Sequence, residues 1–113
     1  MSTDITVRKV QGTYVVRAGG AVVAETNAAL ELSEGDLKPV IYFPRDDVAM
    51  ALLEPSATRT TCPHKGEATH YSIQLKSMLI EDSAWEYENP AADVADIKDH
   101  VAFYSRKVAV EQL

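Results

Sequence analysis

The sequence predicts one α+β domain, mostly β, built from short antiparallel strands with two short helices. Apolar and polar residues alternate along much of the chain, which is the period of a half-buried strand. Residues 1–43 show no helical segment, so the crossover helices that parallel strands need are missing there. A chain of 113 residues can bury a single core. We therefore expect residues 1–113 to form one compact antiparallel domain.

The first predicted strands form a hairpin after an opening strand. Ile5–Val10 alternates apolar and polar residues, and Tyr14–Arg17 and Ala21–Glu25 are rich in β-branched residues. Gly19 and Gly20 lie between the last two segments, and glycine tolerates the positive φ angles of a tight hairpin turn. The three segments are therefore predicted to be strands.

Two further strands and the first helix are predicted next. Ala29–Ser33 alternates again, and Lys38–Pro44 is an apolar run with a proline near each end, which is typical of a buried strand. The acids that open Asp46–Leu53 suit a helix N-terminus, and its apolar residues recur at helical spacing. This helix is expected to end at Pro55.

The rest of the chain is predicted to be strands with one more helix. Asn89 and Pro90 resemble a cap followed by proline at the first helical position, which predicts a short helix over Ala91–Lys98. The predicted strands are Tyr71–Leu75, Met78–Glu81, Ala84–Glu88, His100–Tyr104 and Val108–Val110. Lys76 and Ser77 are predicted to form a two-residue turn between the first two of these strands.

Composition excludes several classes of partner. The chain has 11 basic and 17 acidic residues and a net charge of −6, which repels phosphate backbones and anionic lipids, so we expect no nucleic acid or membrane partner. No apolar run approaches the roughly 18 residues of a membrane span, and the first residues do not resemble a signal peptide. We expect a soluble, cytoplasmic protein with a small-molecule partner. Its single cysteine cannot form an internal disulfide.

Reactive side chains are concentrated in Thr58–Tyr71. Cys62 has Arg59, His64 and Lys65 close by in sequence, and such cations stabilise a thiolate. Cys62 is therefore a candidate nucleophile or redox centre, with Lys65 or His100 lowering its pKa. The alternative is that a lone cysteine is a small buried hydrophobe.

Metal binding is the second possibility for this stretch. Four potential ligands fall within nine residues, namely Cys62, His64, Glu67 and His70. Zinc sites usually use regularly paired ligands, and this spacing is irregular. We therefore predict no metal site, and the cofactor is left open.

Cations and aromatic residues suggest a ligand pocket. Arg45, Arg59 and Lys65 supply positive charge, and Gly66 lets the backbone approach an anion. The candidate aromatic contacts are Tyr42, Trp85 and Tyr104, and His100 with Tyr104 forms a candidate acid–base pair. The alternatives are solvated surface cations and aromatic side chains that belong to the core.

Four ordered motifs resemble a known family. They are Tyr42–Arg45, Thr58–Ala68, Ala84–Tyr87 and His100–Tyr104. Together they resemble the domain of unknown function 427, also labelled a nucleotidyltransferase-like domain, over about residues 8–104. The resemblance implies a small β-rich fold similar to β-tent domains, and it implies no particular activity.

Departures from the family pattern narrow the candidate residues. The family usually has tyrosine where this chain has His64, and commonly Tyr-Trp where it has His70 and Tyr71. The resemblance therefore implies no shared role for these histidines and leaves Cys62, Lys65 and Gly66 as matching residues. The sequence also lacks a Gly-Ser motif followed by the paired aspartates that would hold metal ions for nucleotidyl transfer.

Three functions remain open from sequence. The leading hypothesis is a domain that binds a small anionic or planar ligand in a pocket built around the loop Cys62–Gly66. One alternative is a cysteine-dependent enzyme that uses Cys62, and the other is a protein-interaction module with an exposed sheet edge. The identity of the ligand, catalysis and homodimerisation through an edge strand are left undecided.

Overall fold

The computed structural model describes residues 4–113, which form ten β-strands and three short 3₁₀ helices. The strands are β1 (Ile5–Lys9), β2 (Tyr14–Ala18), β3 (Ala21–Thr26), β4 (Leu30–Glu34), β5 (Val40–Pro44), β6 (Leu53–Cys62), β7 (Gly66–Gln74), β8 (Leu79–Tyr87), β9 (His100–Phe103) and β10 (Ala109–Gln112). The 3₁₀ helices are Arg45–Asp47, Met50–Leu52 and Ala92–Ile97. The prediction of a mostly β domain is confirmed.

The strands form two antiparallel sheets. The large sheet has seven strands in the order β1-β4-β5-β9-β8-β7-β6, and the small sheet has three in the order β10-β2-β3. Strand β9, near the end of the chain, lies between β5 and β8 at the centre of the large sheet. Sequence neighbours therefore supply the hairpins, whereas the middle of the large sheet depends on distant segments.

The large sheet buries side chains on both faces, and β5 illustrates why. Neighbouring residues of a strand point to opposite faces. Phe43 packs into one apolar cluster with Val16 and Val23 of the small sheet, whereas Tyr42 packs into a second cluster with Leu30 and Ile97. The unbroken apolar run of β5 follows from this burial on both sides.

Two predicted turns are present. Gly19 and Gly20 have φ angles of 52° and 82° and join β2 to β3, with Ala18 paired to Ala21. Positive φ at both central residues is the conformation that favours glycine in such turns. At the β7–β8 turn, the Leu75 N–H donates to the Met78 carbonyl across two residues, at 2.8 Å.

The helix predicted over Asp46–Leu53 is not present. The segment contains two separate 3₁₀ helices with an extended Val48 between them, and Leu53 already belongs to β6. The reason is tertiary: the Ala49 N–H donates to the Val23 carbonyl at 2.8 Å, which ties this segment to β3. The Asp47 carboxylate accepts a hydrogen bond from the Thr26 hydroxyl at 2.7 Å instead of capping a helix.

The second predicted helix is matched only in part. Ala92–Ile97 is a 3₁₀ helix, and Val94 inside it has φ −125° and ψ 27°, outside helical geometry. Val94 and Ile97 are both fully buried, three residues apart as 3₁₀ periodicity requires for a shared face. Among the described residues, none of the helices has the length and apolar character needed to cross a membrane.

The stretch predicted to be a reactive loop is a β-hairpin. Strands β6 and β7 pair up to Cys62 opposite Gly66, and only Pro63–Lys65 forms the tip. The Lys65 Nζ lies 2.6 Å from the Glu34 Oε1 on β4, although three strands separate β4 from β7 in the sheet. The large sheet is therefore strongly curved, and the hairpin tip reaches back over one of its faces.

The backbone conformation of Gly66 and its contact with Asn89 lead to a testable prediction. Its φ angle is 114°, and a Cβ added there would lie 3.2 Å from the Asn89 carbonyl oxygen. We expect Gly66→Ala to lower the free energy of unfolding by about 2 kcal/mol, because strain and a backbone contact act together. Urea unfolding measures the loss.

Gly20→Ala is the matched control for this measurement. Gly20 has a φ of 82° with nothing within 4 Å of an added Cβ, so it isolates the backbone strain. A loss for Gly66→Ala no larger than that for Gly20→Ala would show that the contact with Asn89 does not matter.

Candidate functional site

One face of the large sheet carries a row of aromatic side chains. We call it the aromatic face and define it by Tyr42, His70, Trp85, Tyr87 and Tyr104. Alternation along β8 places Trp85 and Tyr87 on the same face, and the register pairs Trp85 with His70. Four segments of the chain thus contribute to one surface.

A small residue lets two aromatic rings of this face meet. Ala102 of β9 pairs with Tyr42 on one side and with Trp85 on the other. Because alanine fills little space, the two larger side chains reach across it: their rings pack edge to face with centroids 6.3 Å apart. The Trp85 Nε1–H also donates to the Tyr42 hydroxyl at 3.3 Å, which fixes the indole.

Tyr104 contacts two other members of the aromatic face. Its ring centroid lies 4.3 Å from that of Trp85, and its hydroxyl lies 3.1 Å from the His70 Nε2. Two cations approach the same ring, with Arg106 Cζ 5.7 Å and Lys107 Nζ 5.9 Å from its centroid. This is within the range of cation–π attraction.

A cleft of about 400 Å³ opens beside Trp85 and Tyr104. Strand β9 ends at Phe103, one residue before Tyr104, so the sheet loses its central strand where β5 begins at Val40. The cleft lies where this strand is missing. The described residues that line it are Lys38, Pro39, Val40, Ile41, Trp85, Phe103, Tyr104, Ser105 and Val110. This lining is mostly apolar, and its polar groups include the Lys38 ammonium and the hydroxyl groups of Tyr104 and Ser105.

The environment of the aromatic face keeps its phenols neutral. Burial raises the pKa of Tyr42 well above its ordinary value, although the hydrogen bond from Trp85 acts in the opposite direction. Burial likewise raises the pKa of Tyr87 to about 12 and raises the pKa of Tyr104. These shifts indicate an apolar surrounding that disfavours the phenolate.

Cys62 and Lys65 lie at the hairpin end of the same face. Cys62 is partly exposed and packs against the apolar cluster that contains Tyr42 and Tyr87. The Lys65 ammonium is paired with Glu34, and both side chains are largely buried. The Lys65 charge, which the sequence suggested would stabilise a Cys62 thiolate, is therefore compensated by the Glu34 carboxylate.

Arg45 belongs to a separate polar network. It donates to the Glu86 Oε1 and, at 3.3 Å, to the Tyr71 hydroxyl, which itself donates to Glu86 at 2.8 Å. The Glu86 side chain is only 3% exposed, so the network neutralises a buried carboxylate. Tyr71 belongs to the cluster between the two sheets, on the face opposite to Tyr42.

The other predicted site residues are dispersed. Arg59 is exposed and donates to the backbone carbonyls of Ser56 and Thr58, at 2.8 and 2.9 Å. His100 lines a different cavity, of about 490 Å³, and its Nδ1 lies 2.8 Å from the Lys98 carbonyl oxygen. Gly66 contributes its backbone against Asn89. The structure thus brings Tyr42, Trp85 and Tyr104 into contact. Arg59, His100 and Gly66 lie elsewhere.

The four potential metal ligands are not collected at one point. Cys62 and His64 lie at the end and tip of the hairpin, whereas Glu67 and His70 are an odd number of residues apart on β7 and so point to opposite faces. Within residues 4–113, no group of three or more His, Cys, Asp or Glu side chains is arranged to hold a metal ion.

Sequence reasoning missed several residues of the cleft region. Lys38 at the rim and Arg106 and Lys107 beside Tyr104 were not considered. His70 was set aside, yet it is only 3% exposed, and its Nδ1 has no hydrogen-bond partner among the described residues. The available signal was the position of His70 on the inward face of an alternating strand, because a polar group that is buried there requires a hydrogen-bond partner.

The Arg45 network generates a stability prediction. Arg45→Met leaves the Glu86 carboxylate buried with only Tyr71 as donor, and we expect the free energy of unfolding at pH 7 to fall by about 2 kcal/mol, below the full cost of breaking a buried pair because Arg45 is 39% exposed. Urea unfolding measures the change. Adding Glu86→Gln should recover part of the loss.

Arg17→Met is the control for that series. The Arg17 and Glu111 side chains form an ion pair at 3.1 Å and are each 51% exposed, so its loss should cost less than about 1 kcal/mol. A double variant no more stable than Arg45→Met would contradict the view that a stranded carboxylate causes the loss.

Tyr87 generates a prediction at alkaline pH. Its pKa of about 12 in the folded protein, against the ordinary value of 10.0, means that the unfolded chain releases this proton first. Stability is therefore complete below about pH 10 and declines between about pH 10 and 12. Tyr87→Phe should reduce that decline by about 2 kcal/mol.

Urea unfolding of both proteins from pH 6 to 12 measures the effect. Between pH 6 and 9 the two should differ by a constant amount, because the phenol stays protonated in both states. A wild-type decline at high pH that Tyr87→Phe leaves unchanged would contradict the prediction.

Comparison with known proteins identifies the family of this chain. No curated protein matches the chain. Residues 6–112 match the family described as Domain of unknown function (DUF427). The match runs from β1 into β10 and includes every residue of the aromatic face. The chain therefore belongs to the DUF427 family, a family of domains of unknown function.

Proposed function

We propose that this domain binds a small planar molecule in the cleft beside Trp85 and Tyr104. The observation that carries the proposal is the pairing of two aromatic side chains with a cavity of about 400 Å³. Small-molecule sites typically have volumes of about 300 to 1,000 Å³ and mainly apolar, aromatic linings. A flat ring fits such a lining because its faces can stack on the aromatic walls.

The two aromatic walls are held in place before a ligand arrives. Trp85 donates a hydrogen bond to Tyr42, and the Tyr104 hydroxyl contacts His70. Side chains that are already fixed lose little conformational entropy on binding. This arrangement supports a binding role for rings that would otherwise only complete a core.

The rim of the cleft indicates which planar molecules it favours. Among the described residues, Lys38 is the only charged residue of the lining. An apolar cleft with one cation favours neutral or anionic ligands over cationic ones. The neutral phenol of Tyr104 adds a polar atom next to the apolar wall. The proposed ligand is therefore an uncharged or anionic ring compound.

This proposal moves the pocket away from the loop Cys62–Gly66. Lys65, the cation of that loop, is already paired with Glu34, and the tip is also anchored by the Ala91 N–H, which donates to the Lys65 carbonyl at 3.0 Å. In this proposal the loop holds the curved sheet closed, and the ligand binds at the end of β9.

The proposal is tested through the only tryptophan of the chain, Trp85. Its indole N–H gives a single cross-peak in a ¹H–¹⁵N correlation spectrum, and 1-naphthol serves as a neutral planar probe. We expect this cross-peak to shift during titration and Tyr104→Ala to weaken binding about tenfold, because one stacked ring is worth roughly 1 kcal/mol or somewhat more.

Tyr104→Phe is the matched variant, since it retains the ring and loses only the hydroxyl. It should keep most of the affinity, and the urea unfolding midpoints of both variants show that they are folded. An indole cross-peak that stays in place with saturating 1-naphthol, or binding that Tyr104→Ala leaves unchanged, would refute the proposed site.

A further inference from the structure

A second cavity shares the lining residue Ser105 with the cleft. It has a volume of about 550 Å³, and its lining includes Arg17, Ser105, Arg106 and Lys107. The two spaces therefore adjoin at the segment where the chain leaves β9.

The charges around the two cavities are all of one sign. Lys38 lines the cleft, and Arg17, Arg106 and Lys107 line the second cavity, and neither lining includes a carboxylate from residues 4–113. This is opposite to the chain as a whole, which has 17 acidic and 11 basic residues. A local excess of positive charge in a concave surface attracts anions even when the net charge is negative.

Arg106 and Lys107 retain most of this charge. Among residues 4–113, neither forms an ion pair with a carboxylate within 4.0 Å, whereas Arg17 is paired with Glu111 at 3.1 Å. The Lys107 Nζ donates instead to the backbone carbonyls of Glu81 and Asp82, at 2.8 and 3.2 Å. These carbonyl groups hold the ammonium in position, and its charge also helps to lower the pKa of the neighbouring Asp82 carboxyl group.

The cations lie close to the wall on which a ring would stack. Arg106 Cζ is 5.7 Å from the centroid of the Tyr104 ring. An oxyanion bonded directly to a ring on Tyr104 would thus be within reach of the guanidinium, whose planar set of donors matches phosphate oxygens. Two cations suit a dianion better than a singly charged carboxylate.

We propose that the second cavity binds a phosphate group attached to the planar ligand, so that the ligand class is an aryl phosphate. The inference rests on the proposed function, because the ring occupies the cleft of Trp85 and Tyr104 while Arg106 and Lys107 hold the phosphate. Ser105, which lines both cavities, lies at the boundary between ring and phosphate.

Three probes that share one ring test this inference by isothermal titration calorimetry. They are 1-naphthol, 1-naphthoate and 1-naphthyl phosphate. At low ionic strength we expect 1-naphthyl phosphate to bind at least tenfold more tightly than 1-naphthol, with 1-naphthoate between them. The gain should shrink as salt is added, because screening weakens exposed charge interactions.

Variants assign the gain to the second cavity. Arg106→Gln should bring the affinity for 1-naphthyl phosphate close to the affinity of the same variant for 1-naphthol. Lys76→Gln, on the exposed β7–β8 turn, is the matched control and should keep the full gain. Urea unfolding midpoints verify that both variants are folded.

Each contrary outcome has its own meaning. Equal affinities of 1-naphthol and 1-naphthyl phosphate for the wild-type protein would overturn the phosphate site and leave the proposed planar site intact. A gain that survives Arg106→Gln in full would overturn the assignment to this cavity. Failure of all three probes to bind would overturn the proposed function and the phosphate site together.

Discussion

The large sheet depends on the backbone pairing of β9 with strands on both sides. β9 pairs with β5 through residues such as Ala102 opposite Tyr42, and with β8 through Ala102 opposite Trp85. The strands β1, β4 and β5 on one side are joined to β8, β7 and β6 on the other through β9. Its residues Val101 and Ala102 are fully buried, so the strand also fills the apolar layers on both faces.

The aromatic face and its cleft both follow from this one strand. A small residue at its centre lets Tyr42 and Trp85 touch, and its early end at Phe103 leaves the gap beside Tyr104. The same four residues thus produce the contact between the rings and the space next to them. Replacing Ala102 with a larger residue would affect both at once, because the two rings meet over it.

Charged residues of the domain divide into two groups with different uses. Arg45 and Lys65, which the sequence suggested as ligand contacts, are each paired with a carboxylate, and they hold segments of the fold together. Lys38 and Arg106 form no ion pair with a carboxylate among the described residues and lie beside the two adjoining cavities. Proximity to reactive residues in sequence was therefore a poor guide, because pairing in three dimensions decides which charges remain for a ligand.

Local patterns in the sequence predicted most strands and the two-residue turns, since alternation and turn residues act over a few positions. The helix over Asp46–Leu53 was wrong because its apolar spacing suited a helix locally, whereas hydrogen bonds to β3 hold the segment in another form. The sequence suggested Tyr42, Trp85 and Tyr104 as candidate aromatic contacts, and the structure brings their rings together. Lys38 and Arg106 were not, because residues so far apart are brought to adjoining cavities only by the insertion of β9.

The position of β9 and β10 in the chain also has a consequence for folding. β9 completes the large sheet from residues 100–103, and β10 pairs with β2 in the small sheet through residues 109–112. Neither sheet can be completed before these late segments have left the ribosome, and contacts so distant in sequence slow folding. During that interval the edges of β5 and β8 are unpaired, and such edges are open to association with other chains.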